Sequence, residues 1–474
     1  MSALRDSLSA ADLEYRTAYR EIKNASPLWR EMLTRGGSPI TPQLIQEELL
    51  GADEVLALYD VGVERSFLFL VPPEGDLLAF ELTVPDSLSE VLGLEPGPLT
   101  DIALTSMIHP DTASAATTVL PTSPSTRSIE IGVQRWTTTD RLRALHSVLL
   151  PEEVWAAVES AERIVVVPDG ALHQLPFETL VVDQTESDDG DVEPVYWVDQ
   201  GPLVRYSASA TVLANLERRD VGREASGLLS LSDPIYDPRE VAASAVEPGR
   251  SSGVARDEYL RAAFARGGGV LSRLPGTARE SEAIAESFAQ AGEPLTLLQG
   301  DEAGEPELRA ALGGQRYLHL ATHGLVDQNR SSMFASLALT PPSSGSTDPA
   351  DDGFLQLHEI YGLDLDGTEL AVLSACETAV GDNVAGEGVF ALSRGFLVAG
   401  ARRVVASHWP VSDDSTARLV GELFAEIARA RAAGEPVDYA AAMRSAQLSV
   451  RNDPEHPEWT HPYYWAPFVL TGAR

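Results

Sequence analysis

Two stretches decide how this chain reads: RYLHLATHG at residues 316–324 and ELAVLSAC at 369–376. Each is a short run of apolar residues without regular polar alternation. Each delivers a reactive side chain just past its end, His323 in the first and Cys376 in the second. A strand that is apolar throughout is buried on both faces, as in a parallel sheet covered by helices. The same character recurs in RIVVVPDG, GLLSLSDP, PLTLLQGD, RRVVASHWP and PFVLTG. Between these runs lie stretches with helical spacing: ARESEAIAESFAQAG, EPELRAALGG, GEGVFALSRGFLVAG and SDDSTARLVGELFAEIARARAAG. They close on Gly292, Gly313, Gly400 and Gly434, as expected where a left-handed residue ends a helix. The alternation predicts an α/β fold, an α/β/α sandwich with a mostly parallel central sheet.

In open parallel sheets, chemistry gathers at the carboxyl ends of the strands. His323 and Cys376 stand there, 53 residues apart in sequence (376 − 323). Sequential parallel strands are commonly neighbours, so their ends bring an imidazole beside a thiol. Such a histidine takes the thiol proton and leaves a thiolate nucleophile for acyl transfer. Gly324 lets the backbone approach a substrate, and its N–H together with that of Cys376 can donate to a developing oxyanion. Cys376 is the only cysteine among 474 residues, which excludes an internal disulfide and a multi-cysteine zinc site. It is either a small core residue or a thiol kept for its reactivity. His319 precedes His323 on the same strand, where it either makes a metal pair with His323 and Cys376 or packs and hydrogen-bonds along the strand; no further zinc-spaced ligand cluster accompanies it, so packing is favoured and no metal or other cofactor is expected.

Composition narrows the function classes. Apolar content of 44% and charged content of 22% are ordinary for a globular protein. The net charge of −36 argues against nucleic acid or an anionic membrane as a direct partner, because polyanions are repelled. Lys23 is the only lysine; arginine supplies the other cations. The first residues carry no signal-peptide apolar core, and no run is long enough to span a bilayer, so a cytoplasmic location is expected. Residues 11–35 show helical spacing, and DEVLALYDVGVERSFLFLVPPEGDLLAFEL reads as a hairpin or small meander. A Ser/Thr/Pro-rich linker follows. The expected organisation is an N-terminal helical and β-hairpin region with linker over 1–139, a small α+β part, and the α/β domain over 140–474.

YLHLATHG and LAVLSACETAVGDNVAGEGVFALSRGFLVAGARRVVASHWPV, with IVVVPDGALHQLPFETL, LPGTARESEAIAESF and HPYYWAPFVLTG, resemble the CHAT family. This is the caspase-like domain often attached to tetratricopeptide repeats, and the resemblance covers about residues 140–474. It implies a caspase-like fold and a cysteine endopeptidase of the caspase and separase type, usually without a third triad member. By resemblance His323 matches the catalytic histidine, Gly324 the oxyanion-hole glycine and Cys376 the nucleophile. It further implies a protein substrate, an activating or regulatory protein partner, and a regulated bacterial response such as defence or cell death.

Substrate selection is read from the flanks. Asp382 and Glu387, in ETAVGDNVAGEG, either form a carboxylate pocket for Arg or Lys or are acids favoured by a solvated loop and a helix start. His408 and Trp409 either wall the cleft or pack at a strand end. Arg250 and Arg330 lie in polar stretches suited to self-cleavage. The rival reading from another class is a non-catalytic scaffold or interaction module with a latent caspase-like domain.

Overall fold

The computed structural model describes residues 40–108, 138–186, 192–219, 224–236, 271–325, 335–342, 351–375, 387–409 and 412–474, with backbone alone for 387–390. The helices expected over 11–35, most of the linker, Arg250, Arg330, Cys376, Asp382 and the side chain of Glu387 lie outside the described residues. The chain divides into two units.

One unit takes residues 40–218, 279–293 and 405–474. Its strands β1 (Glu54–Val61), β2 (Ser66–Val71) and β3 (Leu78–Val84) form the antiparallel meander the sequence predicts, with Leu56 opposite Val71 and Leu70 opposite Leu78. A two-residue strand, β4 (Gly97–Pro98), closes the edge. The other side of β1 runs parallel to β5 (Arg163–Val167), the RIVVV run, so the N-terminal meander joins a parallel sheet. A separate antiparallel hairpin is formed by β6 (Val181–Glu186) and β7 (Val192–Tyr196). β8 (Leu203–Tyr206) then lies parallel to β5, and the C-terminal strand Phe468–Gly472 is parallel to β8. β8 carries Arg205, buried on an otherwise apolar strand. Its guanidinium reaches Glu54 at 2.9 Å, Glu217 at 3.1 Å and the Gly472 carbonyl at 3.1 Å. Deleting one partner from such a buried cluster costs about 3–5 kcal/mol.

The other unit includes residues 219–278 and 294–404. Four strands make its parallel sheet: β9 (Leu228–Pro234), β10 (Leu295–Gly300), β11 (Tyr317–Ala321) and, further along the chain, Leu370–Ser374. Between the last two come the short strands β12 (Gly324–Leu325), β13 (Ser336–Ala338) and β14 (Phe354–Gln356), which form a small antiparallel sheet. Leu370–Ser374 is therefore β15. The order β10-β9-β11-β15 puts β9, β11 and β15, buried along their whole length, beside each other with β11 between the other two. That burial is what their unbroken apolar runs require. The helix Glu387–Ala399 ends at Gly400, whose φ of 131° and closeness to the Leu365 backbone leave no room for a side chain. Among the described residues no helix is long and apolar enough to cross a membrane.

Candidate active site

The register between β11 and β15 sets the site. Ala321 pairs with Ser374, and the Thr322 N–H donates to the Ser374 carbonyl at 3.2 Å. His323 follows Ala321 by two residues, and Cys376 follows Ser374 by two. The described backbone continues past β15 to Ala375, the residue before Cys376.

His323 is held at both its backbone and its ring. Its N–H approaches the Tyr236 hydroxyl at 3.4 Å, and its carbonyl accepts from the Ala338 N–H at 2.9 Å. The hydroxyl of Tyr236 is 2.8 Å from that of Thr322, which in turn donates to the Ala338 carbonyl. A consistent proton count follows. Thr322 donates to Ala338, Tyr236 donates to Thr322, and the Tyr236 oxygen is left to accept from His323. Burial pushes the Tyr236 phenol above its ordinary range, so it remains a donor. The Tyr236 and His323 rings lie 5.2 Å apart, tilted by 45°.

The ring contact determines the chemistry. Nε2 of His323 sits 2.8 Å from the Ser272 carbonyl oxygen. A carbonyl only accepts, so Nε2 carries the hydrogen and, in the neutral ring, Nδ1 carries the lone pair. The imidazole is thereby set to take a proton at Nδ1, with the resulting cation supported at Nε2. Ser272 has no place in the sequence reading, because a backbone acceptor leaves no trace in residue type.

The remaining candidates fall as follows. Gly324 opens β12, opposite Leu337 of β13. His319 is fully buried on β11, its Nδ1 2.7 Å from Ser230 Oγ on β9. No group of three metal-ligating side chains occurs among the described residues. His408 and Trp409 belong to the other unit. Burial, together with the nearby His173, pushes His408 down to about 4 despite a hydrogen bond with the Gln174 backbone. Trp409 donates from Nε1 to the Tyr463 carbonyl at 3.0 Å.

A carboxylate pair in the site's unit escaped the sequence reading. Glu305 is buried, accepts from the Gly353 N–H at 2.7 Å, and shares Arg309 with Glu359. Burial, with Glu359 adding to it, pushes Glu305 up to about 7. The bond to Gly353 fixes the start of β14, and so supports the small sheet that includes Gly324.

A family model, the CHAT domain, matches residues 139–473. Mouse tetratricopeptide repeat protein 28 is 23% identical over 370 residues, which is 70% of this chain and 13% of that protein. The chain thus spans about an eighth of that relative's length. Among solved structures, gingipain R, an Arg-specific cysteine proteinase, aligns over 68% of each chain at 9% identity and a TM-score of 0.40. The Saccharomyces cerevisiae separase–securin complex aligns over 91% of this chain and 30% of the other, at 10% identity and a TM-score of 0.45.

Proposed function

The chain belongs to the CHAT family, and from that premise we propose that it is a cysteine endopeptidase working through Cys376 and His323. The observation that carries the reading is the pairing of Ala321 with Ser374, two residues ahead of each partner, together with the Ser272 carbonyl on His323 Nε2. In the proposed reaction Nδ1 of His323 takes the thiol proton, and the thiolate adds to the scissile carbonyl carbon. The N–H groups of Gly324 and Cys376 receive the oxyanion. The intermediate collapses with cleavage of the C–N bond, and the amine leaves with the proton from Nδ1. Water, deprotonated by the same nitrogen, then hydrolyses the thioester and restores the thiol.

The substrate is a selected protein, and a separate protein partner activates the enzyme in a regulated bacterial response such as defence or cell death. Asp382 and Glu387 form a carboxylate pocket that favours Arg or Lys before the cut. A mixed peptide-library digest read by mass spectrometry tests this, with wild type beside Cys376→Ala. Cleavage confined to the wild type, after basic residues, is the expected result. Cutting that persists in Cys376→Ala overturns the nucleophile, and a preference for acidic residues overturns the pocket.

A further inference from the structure

The sequence marks no residue that would hold Ser272 against His323. One short segment reaches both sides of the histidine. Asp233, at the carboxyl end of β9, grips the Ser272 loop. Its two carboxylate oxygens accept from Arg273 Nε and Nη2 at 2.9 and 2.8 Å, a bidentate pair adjacent in sequence to Ser272. Its N–H donates to the Thr277 hydroxyl at 2.8 Å, and that hydroxyl donates to the Leu274 carbonyl at 2.7 Å. Three residues on, Tyr236 meets the His323 backbone. Asp233 also adopts φ of 48°, and it is the one non-glycine residue with positive φ among the described residues. An L-residue other than glycine is strained in that conformation, and Asp and Asn are the side chains that tolerate it best.

We propose that Asp233 and Arg273 are positioning residues for His323: their ion pair fixes the Ser272 carbonyl on Nε2 and so keeps Nδ1 as the proton-accepting nitrogen. The proposal rests on the peptidase reading and deepens it. The Asp233 side chain is about one-tenth exposed and that of Arg273 about one-half, so the pair is accessible to water at one end and is built for orientation more than for stability. Among the described residues, the titratable groups on the segments that carry these contacts are Tyr236, Asp233, Arg273, Tyr317 and His319, the last bonded to Ser230.

The single cysteine makes the test clean, because alkylation by iodoacetamide followed by intact mass reports on Cys376 alone. The rate is measured against pH in the full chain for wild type, His323→Ala, Asp233→Asn, Arg273→Gln and the double variant. Asn tolerates the positive φ, and Arg273 is exposed enough for Gln to leave folding intact. The wild-type midpoint is expected below the ordinary thiol value of about 8.5, with His323→Ala returning it there. Asp233→Asn and Arg273→Gln should each raise the midpoint by about half a unit to one unit, with Tm moved by only a few degrees. The double variant should add nothing further. If His323→Ala shifts the midpoint while the two single variants keep the wild-type value, or if their shifts add, the positioning role fails and the dyad stands. If the wild-type midpoint is ordinary and His323→Ala leaves it unchanged, the dyad fails and the positioning role with it.

Discussion

His323 and His408 look alike in the sequence and meet different surroundings in the structure. Both follow a short apolar strand, in LATHG and VASHWP. His323 is given a carbonyl acceptor for Nε2, which supports a proton on the ring. His408 also has a backbone partner, at Gln174, yet desolvation of its ring, with His173 nearby, pushes it down to about 4. A backbone partner does not by itself keep a strand-end histidine able to take a proton: at His408 desolvation and the neighbouring His173 outweigh the one it has.

The largest effect separating the two is expected in catalysis. His323→Ala should lower the rate of peptide cleavage by about 10²–10⁴-fold, the usual range for a general base, whereas His408→Ala should leave it within about threefold. Progress curves on one cleavable peptide decide this, and equal losses in both variants would break the distinction.

Stability against pH comes next. His408 sits at about 4 when folded against an ordinary 6.5, so unfolding takes up a proton between those values. Its unit should lose up to about 3 kcal/mol as pH falls through that window, with nothing lost above it. Urea midpoints from pH 7 to pH 4 should fall less steeply in His408→Gln than in wild type.

Glu305 has the opposite sign and a comparable or smaller size. Its carboxyl is at about 7 when folded against an ordinary 4.5. The unfolded chain therefore releases that proton first, and stability falls as pH rises from about 4.5 to about 7, by up to about 3 kcal/mol. In Glu305→Gln that decline should disappear from urea midpoints over the same range, provided Gly353 keeps its acceptor.

The smallest effect is expected at Arg279 and Asp414, a single-contact pair at 2.9 Å with both side chains mostly exposed. Arg279→Ala should shift stability by no more than about 0.5 kcal/mol, in contrast to the buried Arg205 cluster. A loss in urea stability several times larger would show that exposure is the wrong guide to which ion pairs matter here.

What the sequence disclosed follows from the range of each signal. β5, β9, β11 and β15 were legible because an unbroken apolar run is local and both faces of those strands are buried; β10, half-buried at the edge of the sheet, was legible from its run alone. β8 was not, since Arg205 interrupts its run and the acids that neutralise it, Glu54 and Glu217, come from elsewhere in the chain. β12, β13 and β14 are two or three residues long, too short for any period to register. The parallel pairing of β1 with β5 joins residues over a hundred positions apart, and nothing in the meander itself announces it. At the site, His323 was legible from its strand end. Ser272 was not, because its contribution is a carbonyl that every residue has, and Asp233 read only as the end of a strand.

The central claim is the dyad, and covalent capture tests it most directly. Peptidyl acyloxymethyl ketones ending in Arg, Lys, Asp or Glu would be incubated with wild type, Cys376→Ala and His323→Ala, and intact mass followed over time. One adduct per wild-type chain is expected, located on Cys376, with none in Cys376→Ala and capture at least about 100-fold slower in His323→Ala. Capture in His323→Ala at the wild-type rate, or no adduct on the wild type with any of the four, would contradict it.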